Sequence, residues 1–320
     1  MSEIWKSSFD TKEDVELESG DIFRIYKAGT QGPIVVFIHG AGYTSLTWSL
    51  CISSLRDHCR IIAFDLRGHG DTHTKDDSDL SIQTLTTDAI ELIKRTTVTD
   101  KNELLVLVGH SLGGSIAVRA AARKDLDNLV GVMVIDVVEG TAIASLEHMH
   151  TILDNKPTQF ASIQKAIDWS LQSGMIRNAK AAQISVPSQL RKDEDGSYRW
   201  RSDLKNSASY WRGWFEGLSD LFLGLSIAKL LILAGFDRLD TALTRGQMQG
   251  KFELRLLYGS GHVIQEDCPD KLSAALMEFL VRCCCLSDNS GGRLHENSSL
   301  QIRLAKARAM IPKVATEKES

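Results

Sequence analysis

The sequence predicts an α/β fold, in which helices cover both faces of a mostly parallel, doubly wound sheet. Short runs rich in valine, isoleucine and leucine recur without polar alternation, which is typical of strands covered on both faces. Stretches with helical spacing separate these runs, so strand and helix alternate along the chain. The runs are residues 34–38, 60–64, 104–108, 130–135, 230–233 and 252–257, and the clearest helical stretches are residues 81–95, 114–123 and 270–282.

One interval breaks this alternation. Residues 139–224 hold four of the six tryptophans and little strand signal. We expect a mostly helical insertion there, at about 140–224, which covers the C-terminal edge of the sheet before the penultimate strand. Within it, the densely charged segment 191–197 is expected to be a flexible, solvated loop, because it buries too little apolar surface to offset the entropy of ordering.

The domain organisation follows from this pattern. Residues 1–285 are interpreted as a single domain that includes the insertion. Residues 286–320 are expected to form a flexible C-terminal tail, since Leu286 is followed by Ser-Asp-Asn-Ser-Gly-Gly and the segment carries a short basic run at 303–308.

Composition excludes several classes of protein. The chain has 320 residues, 43% of them hydrophobic, and a formal net charge of −4, which disfavours a basic nucleic-acid binder and an acidic disordered chain. No apolar stretch reaches the roughly 20 residues that span a bilayer, and the N-terminus lacks the apolar core of a secretory signal. Six cysteines without metal-ligand spacing suggest reduced thiols. We therefore expect a cytoplasmic or nuclear protein that is not secreted and does not bind membranes or nucleic acids.

The strongest chemical motif follows the run 104–108. The chain there reads Gly-His-Ser-Leu-Gly-Gly from Gly109 to Gly114 and continues into a helix of small residues. A strand, a Gly-x-Ser-x-Gly turn and a helix form the elbow that presents a nucleophilic serine. The sequence therefore predicts Ser111 as the nucleophile of an ester or amide hydrolase.

A second glycine-rich turn closes the run 34–38. It reads His-Gly-Ala-Gly and can direct a backbone N–H toward the carbonyl oxygen of a bound substrate. We expect the N–H groups of Ala41 and Leu112 to form an oxyanion hole. Residues of these loops that are candidates to line the pocket are His39, Gly40, Gly42, His69 and His110.

The base is expected after the last strand, and the acid is left open by the residues alone. His262 lies in a loop between the run 252–257 and the final helix, which suits a general base. Two loops can supply the acid: Asp136 ends the run 130–135, and Asp237 follows the run 230–233. The commoner hydrolase arrangement favours Asp237, although either carboxylate can orient the imidazole.

With these residues assembled, the chain resembles the protein phosphatase methylesterase family of α/β hydrolases over about residues 5–282. The most specific blocks are Ile-Asp-Val-Val-Glu-Gly-Thr-Ala from Ile135 and Gly-Gln-Met-Gln-Gly-Lys-Phe from Gly246. In this family the acid is the aspartate of the first block, so the resemblance favours Asp136 and leaves Asp237 as a turn residue or a fallback. The family's oxyanion turn usually reads His-Gly-Gly-Gly, and Ala41 departs from it.

The resemblance implies a substrate and a partner. The substrate would be the leucine methyl ester at the C-terminus of the catalytic subunit of type-2A protein phosphatases, cleaved without a metal or another cofactor. Trp211 and Trp214 would then line the site of an aromatic peptide tail, or else pack within the insertion. Arg67 would meet substrate carboxylates, or else satisfy carbonyls of its own turn. The alternatives are a small-molecule carboxylesterase and a phosphatase-binding protein without activity, and the intact serine, histidine and aspartate oppose the latter.

Overall fold

The computed structural model describes residues 3–97 and 103–289, with side chains up to Cys283. The strands are β1 (Thr11–Glu16), β2 (Ile22–Ala28), β3 (Ile34–Ile38), β4 (Arg60–Phe64), β5 (Leu105–His110), β6 (Leu129–Ile135), β7 (Gln159–Phe160), β8 (Leu190–Lys192), β9 (Tyr198–Trp200), β10 (Ala228–Leu233) and β11 (Glu253–Leu256). The α-helices are α1 (Ser49–Leu55), α2 (Ile82–Thr96), α3 (Leu112–Arg123), α4 (Glu139–Asp154), α5 (Ile163–Gln172), α6 (Ala179–Ser185), α7 (Trp211–Phe215), α8 (Leu218–Gly224), α9 (Thr241–Met248), α10 (Ile264–Asp267) and α11 (Pro269–Asn289).

Eight strands form the central sheet, in the order β1-β2-β4-β3-β5-β6-β10-β11. The six strands β4-β3-β5-β6-β10-β11 run parallel to one another, and β2 pairs antiparallel with both β1 and β4. All six apolar runs of the sequence are strands of this parallel part, so the predicted fold class is confirmed. Because parallel strands end at the same edge, the loops after β3, β5, β6, β10 and β11 meet at one edge of the sheet.

The sequence pattern did not predict β1 and β2. β1 reads Thr-Lys-Glu-Asp-Val-Glu and is almost entirely exposed, because it lies at the edge of the sheet. β2 pairs with it over Thr11 to Glu16. A charged strand with little apolar surface carries none of the signal by which buried parallel strands are recognised.

Helices cover both faces of the sheet, and each face has its own core. On one face, α2 and α3 bury apolar side chains against the strands, together with α7 and α8 from the insertion. On the other face, α1 and α11 pack against the opposite side of the same strands. Ser81 caps α2 by accepting the N–H of Thr84, which explains why the helix begins where the sequence predicts it.

The insertion lies between β6 and β10, as predicted, and is mostly helical. It contains α4 to α8 and also a three-stranded sheet in the order β7-β9-β8, which the sequence pattern did not predict. Within the segment 191–197, which was predicted to be a loop, Arg191 and Lys192 belong to β8, and residues 193–197 form the loop of a hairpin between β8 and β9. Its turn is closed by the N–H of Asp193, which donates to Ser197, and by Gly196, which has a φ of +84° that suits glycine.

The insertion shares a core with loops at the C-terminal edge of the parallel strands. Its buried side chains pack with Tyr43, next to the His-Gly-Ala-Gly turn, and with Val263, next to His262. A buried carboxylate adds a polar connection: Glu266 accepts hydrogen bonds from Thr47, at 2.5 Å, and from Ser185 of α6, at 2.9 Å. The insertion is therefore held against the loop that carries His262 by both apolar and polar contacts.

The final helix is longer than predicted. α11 continues to Asn289, so the first four residues of the predicted tail, 286–289, belong to the helix. The remainder of the predicted tail, with its basic run at 303–308, lies outside the described residues.

The burial of Glu266 leads us to expect that the stability of the fold depends on pH. Burial raises its pKa from the ordinary 4.5 to about 7, despite the hydrogen bonds from Thr47 and Ser185 that lower it. The folded-state pKa of Glu266 therefore exceeds its unfolded-state pKa. The contribution of Glu266 to the free energy of unfolding is complete below about pH 4.5, and up to about 3 kcal/mol of it is lost as the pH rises through 7.

We expect the Glu266→Gln variant to lose less stability than the wild type between pH 5 and pH 8 in urea titrations. Glu147, an exposed carboxylate on α4, supplies the control variant Glu147→Gln, which should follow the wild type. An identical slope in Glu266→Gln and the wild type would show that Glu266 does not titrate in this range.

Candidate active site

Ser111 occupies a strained turn between β5 and α3. Its backbone has φ 52° and ψ −119°, a conformation that non-glycine residues rarely adopt. The Ser111 N–H donates to the carbonyl oxygen of Ile135 at the end of β6, at 2.9 Å, which ties the turn to the neighbouring strand. The residue is partly exposed, so the elbow presents its side chain at the edge of the sheet.

Two glycines allow this turn to be so tight. A Cβ on Gly113 would lie 2.1 Å from the carbonyl oxygen of Ile38 in β3, and a Cβ on Gly109 would lie 2.1 Å from the carbonyl oxygen of Gly113. Both contacts are with backbone atoms, which cannot move aside as a side chain can. The motif therefore needs glycine on both sides of Ser111 because the strand and the helix approach too closely for a side chain.

His262 is paired with Asp136. Its Nδ1 lies 2.8 Å from Oδ2 of Asp136, and this leaves Nε2 as the nitrogen available for proton transfer. The Asp136 side chain has no exposed surface, whereas that of His262 is 47% exposed. Asp237 lies exposed on the turn after β10. The geometry therefore favours Asp136 over Asp237 as the acid.

The serine and the histidine are not joined in this structure. Among the hydrogen bonds of the described residues, none connects the Ser111 hydroxyl with the His262 imidazole. Catalytic hydrogen bonds are often long without substrate and tighten in the reacting complex. Proton transfer from Ser111 requires Oγ and Nε2 to come within hydrogen-bond distance.

Two buried histidines hold the turn that carries Ala41. His39 accepts the N–H of Leu66 at 2.9 Å, and His69 accepts the N–H of Gly42, also at 2.9 Å. Burial lowers the pKa of His39 to about 4 and that of His69 to about 3, so both are neutral near pH 7. His39 therefore supports the turn instead of lining the pocket, whereas His69 supports the turn and also lines a cavity together with Arg201 and Leu204.

The N–H groups predicted for the oxyanion hole lie on the two turns at this edge. Leu112 begins α3, and an α-helix leaves its first N–H groups without an intrahelical partner. Ala41 does not take a left-handed backbone conformation, which among the described non-glycine residues only Ser111, Lys124 and Asp136 adopt. Alanine therefore fits the position where the family usually has glycine.

His110 is buried rather than open to substrate, which corrects its predicted role. Its Nε2 lies 2.8 Å from the carbonyl oxygen of His262, and the two rings are 4.7 Å apart. Burial, together with the neighbouring His262, holds the pKa of His110 well below its usual range. A neutral His110 therefore donates to the backbone of the His262 loop. Gly40 is required beside it, since a Cβ there would lie 2.8 Å from Nδ1 of His110.

Arg67 is buried in ion pairs and is not open to substrate. Its guanidinium is bidentate to Asp88, at 2.8 and 2.9 Å, and binds Asp21 at 2.8 Å. It also donates to the carbonyl oxygen of Asp76. The structure favours the second sequence-based interpretation, in which Arg67 stabilises its own loop.

The two tryptophans belong to the packing of the insertion. Trp211 is 2% exposed and donates to Ser207, and Trp214 is 1% exposed and donates to the carbonyl oxygen of Leu80. Both lie in the core between the insertion and α3. Their predicted contact with substrate is therefore corrected to a structural role.

The sequence did not predict several residues that support the site. Arg238, on the turn after β10, donates to Oδ2 of Asp136, and Ala234 donates its N–H to Oδ1 at 3.2 Å. Glu139 accepts the N–H groups of Gly217 and Ser219, which joins the block after Asp136 to the loop before α8. About 80 to 100 residues separate the partners in the chain, so no local pattern could have paired them.

In the ranges 3–97 and 103–289, no cluster of three or more histidine, cysteine or acidic side chains is arranged to hold a metal ion. Within the same ranges, no helix is both long and apolar enough to cross a membrane.

The fold and the elbow define an α/β hydrolase, and the model of the alpha/beta hydrolase family matches residues 35–275. Relatives are similar over most of the chain. A protein of Caenorhabditis elegans named probable protein phosphatase methylesterase 1 is 45% identical over 286 residues, which cover 88% of this chain and 78% of the relative. The human protein phosphatase methylesterase 1 is 39% identical over 325 residues, 87% and 84% of the two chains. The chain belongs to the protein phosphatase methylesterase family.

Solved structures agree on the fold. An E-2-(acetamidomethylene)succinate hydrolase superposes with a TM-score of 0.70 at 23% identity, over 84% of this chain and 99% of that one. An esterase of Mycobacterium tuberculosis superposes with a TM-score of 0.69 at 22% identity, over 87% and 97%. At these identities the likeness concerns the fold alone.

An alanine substitution at Gly113 tests how closely the elbow packs against β3. We expect the Gly113→Ala variant to lose at least about 2 kcal/mol in urea denaturation, because its methyl group meets backbone atoms of β3. Gly213, in α7, has open space around its Cβ position, so Gly213→Ala is a control that should be neutral or slightly stabilising. Equal stability of the two variants would contradict the close approach at the elbow.

Proposed function

We propose that the chain removes the methyl ester from the C-terminal leucine of the catalytic subunit of type-2A protein phosphatases. Membership of the family makes it an esterase. The observation that supports the finer assignment best is the pair of His262 and Asp136, 2.8 Å apart at the edge where Ser111 lies on its elbow, in a chain 45% identical to a probable protein phosphatase methylesterase 1.

The first half of the proposed reaction forms an acyl-enzyme. Ser111 Oγ attacks the ester carbonyl while Nε2 of His262 takes its proton. Asp136 stabilises the resulting imidazolium through Nδ1 and keeps the imidazole in the reactive tautomer. The N–H groups of Ala41 and Leu112 stabilise the oxyanion of the tetrahedral intermediate.

The intermediate collapses when the bond to the methoxy group breaks. His262 returns its proton to the leaving oxygen, and methanol departs while the phosphatase tail stays esterified to Ser111. Water, deprotonated by His262, then attacks the acyl-enzyme. The products are a free leucine carboxylate and regenerated Ser111, and the balance needs no cofactor.

The proposed partner is the phosphatase catalytic subunit, as substrate and as binding protein. The proposed location is the cytoplasm, the nucleus or both. The thiols of Cys51 and Cys268 are free, which suits a reducing compartment.

Activity measurements on methylated phosphatase test the proposed nucleophile and the proposed substrate. Wild-type protein should remove the methyl group from methylated phosphatase and release methanol, and Ser111→Ala should lower the rate by roughly 1,000-fold or more while still binding the phosphatase. Ser7, an exposed serine near the N-terminus, provides the control variant Ser7→Ala. The carboxymethyl ester and the complex are measured separately.

Two results would contradict the proposed methylesterase activity. If the wild type cleaves p-nitrophenyl acetate but leaves the methylated phosphatase intact, the chain is a small-molecule carboxylesterase. If wild type and Ser111→Ala both bind the phosphatase and neither demethylates it, the chain is a phosphatase-binding protein.

The kcat values of two asparagine variants distinguish between the two candidate acids. Asp136→Asn should lower kcat by roughly 1,000-fold or more, because asparagine cannot stabilise the imidazolium of His262. Asp237→Asn should change kcat by less than about twofold, since Asp237 is exposed. Both variants are checked for folding by circular dichroism. A larger loss in Asp237→Asn would assign the acid to the turn after β10.

A further inference from the structure

A cation is bonded to the carboxylate that orients His262. Arg238 is the last residue of the 3-10 turn Phe236–Arg238, which follows β10 after Ala234 and Gly235. Its guanidinium donates to Oδ2 of Asp136, and its side chain is 36% exposed whereas that of Asp136 is fully buried. The turn thus places an arginine directly after Asp237, the residue that the commoner hydrolase arrangement favours as the acid.

Arg238 and His262 share one oxygen atom. Nδ1 of His262 lies 2.8 Å from Oδ2 of Asp136, and Arg238 bonds the same Oδ2. The other oxygen, Oδ1, accepts the N–H of Ala234 at 3.2 Å. When His262 takes a proton, the new positive charge therefore develops beside a guanidinium on the same acceptor.

The repulsion between the Arg238 guanidinium and a protonated His262 ring is large enough to affect the protonation of His262. Two unit charges about 5 Å apart interact by roughly 3 kcal/mol at an effective dielectric constant near 20, and by less where one of them is exposed to water. A buried carboxylate with no cation beside it would stabilise the imidazolium strongly. Arg238 offsets part of that stabilisation.

We infer that Arg238 is a positioning residue, which orients Asp136 through Oδ2 and places a positive charge that opposes the addition of a proton to His262. The inference rests on the proposed role of His262 as the base. Arg238 acts through Asp136 and does not touch the reacting atoms.

Other charged or titratable groups near the pair are engaged elsewhere. His110 is neutral and donates to the His262 backbone. Asp267 accepts the N–H of Gly261, and Arg177 donates to the carbonyl oxygen of Gly259, both on the His262 loop. The remaining neighbours are Glu139, bonded to Gly217 and Ser219, Asp240, bonded to Ser219 and Leu243, and the exposed Asp237.

The test is a proton titration of His262 by NMR in the full chain with labelled histidine rings. His262→Gln assigns the resonance. In Arg238→Met the pH midpoint of the His262 titration should rise by about half to one unit, because the neighbouring charge is gone. Arg238→Lys should restore most of the wild-type midpoint. Arg245, an exposed arginine on α9, provides the control variant Arg245→Met, which should not move it.

The acidic limb of kcat/KM for p-nitrophenyl acetate should shift in the same direction. A purely structural role would lower Tm without moving either midpoint, and an unchanged or lower His262 midpoint in folded Arg238→Met would overturn the inference. If Arg238→Met does not fold, the neutral donor variant Arg238→Gln takes its place. The NMR titration needs no substrate, so a failure to demethylate the phosphatase would remove the proposed function without affecting this result.

Discussion

The candidate active site depends on the neutralisation of one buried carboxylate. The Asp136 side chain has no exposed surface, and an unpaired charge in a protein interior costs several kcal/mol, of the order of 3 to 5 when one partner of a buried pair is removed. Three donors from two segments meet this need: the N–H of Ala234 and the guanidinium of Arg238 after β10, and Nδ1 of His262 after β11. Folding therefore brings the ends of β6 and β10 and the loop after β11 to one point, and the site is assembled by the same contacts.

The insertion takes part in this assembly through the loops it packs against. Tyr43 and Val263 are the direct neighbours of Gly42 and His262, and both are buried in the insertion's core. Asp267 adds a polar link, since it accepts the N–H of Arg177 from the insertion and that of Gly261 next to His262. A change in how the insertion packs would therefore affect both the proposed oxyanion turn and His262, the proposed base.

The parts of this structure that sequence could predict are those governed by local pattern. Continuous apolar runs identified the six parallel strands, and the glycines around Ser111 identified the elbow, because a close approach of backbones tolerates no other residue. β1 was missed because its edge position lets it be charged. The roles of Arg67, Trp211 and Trp214 needed the burial of each side chain, and the contact of Arg238 with Asp136 needed the fold.

Burial decides which histidine at this edge can do the chemistry. His39, His69 and His110 are at most 2% exposed, and desolvation lowers the pKa of each, so they remain neutral near pH 7 and act as fixed donors or acceptors for neighbouring loops. The His262 side chain is 47% exposed and is bonded to a carboxylate that can stabilise its protonated form. Three histidines therefore shape the edge of the sheet, and the exposed fourth is the one positioned to exchange a proton with a substrate.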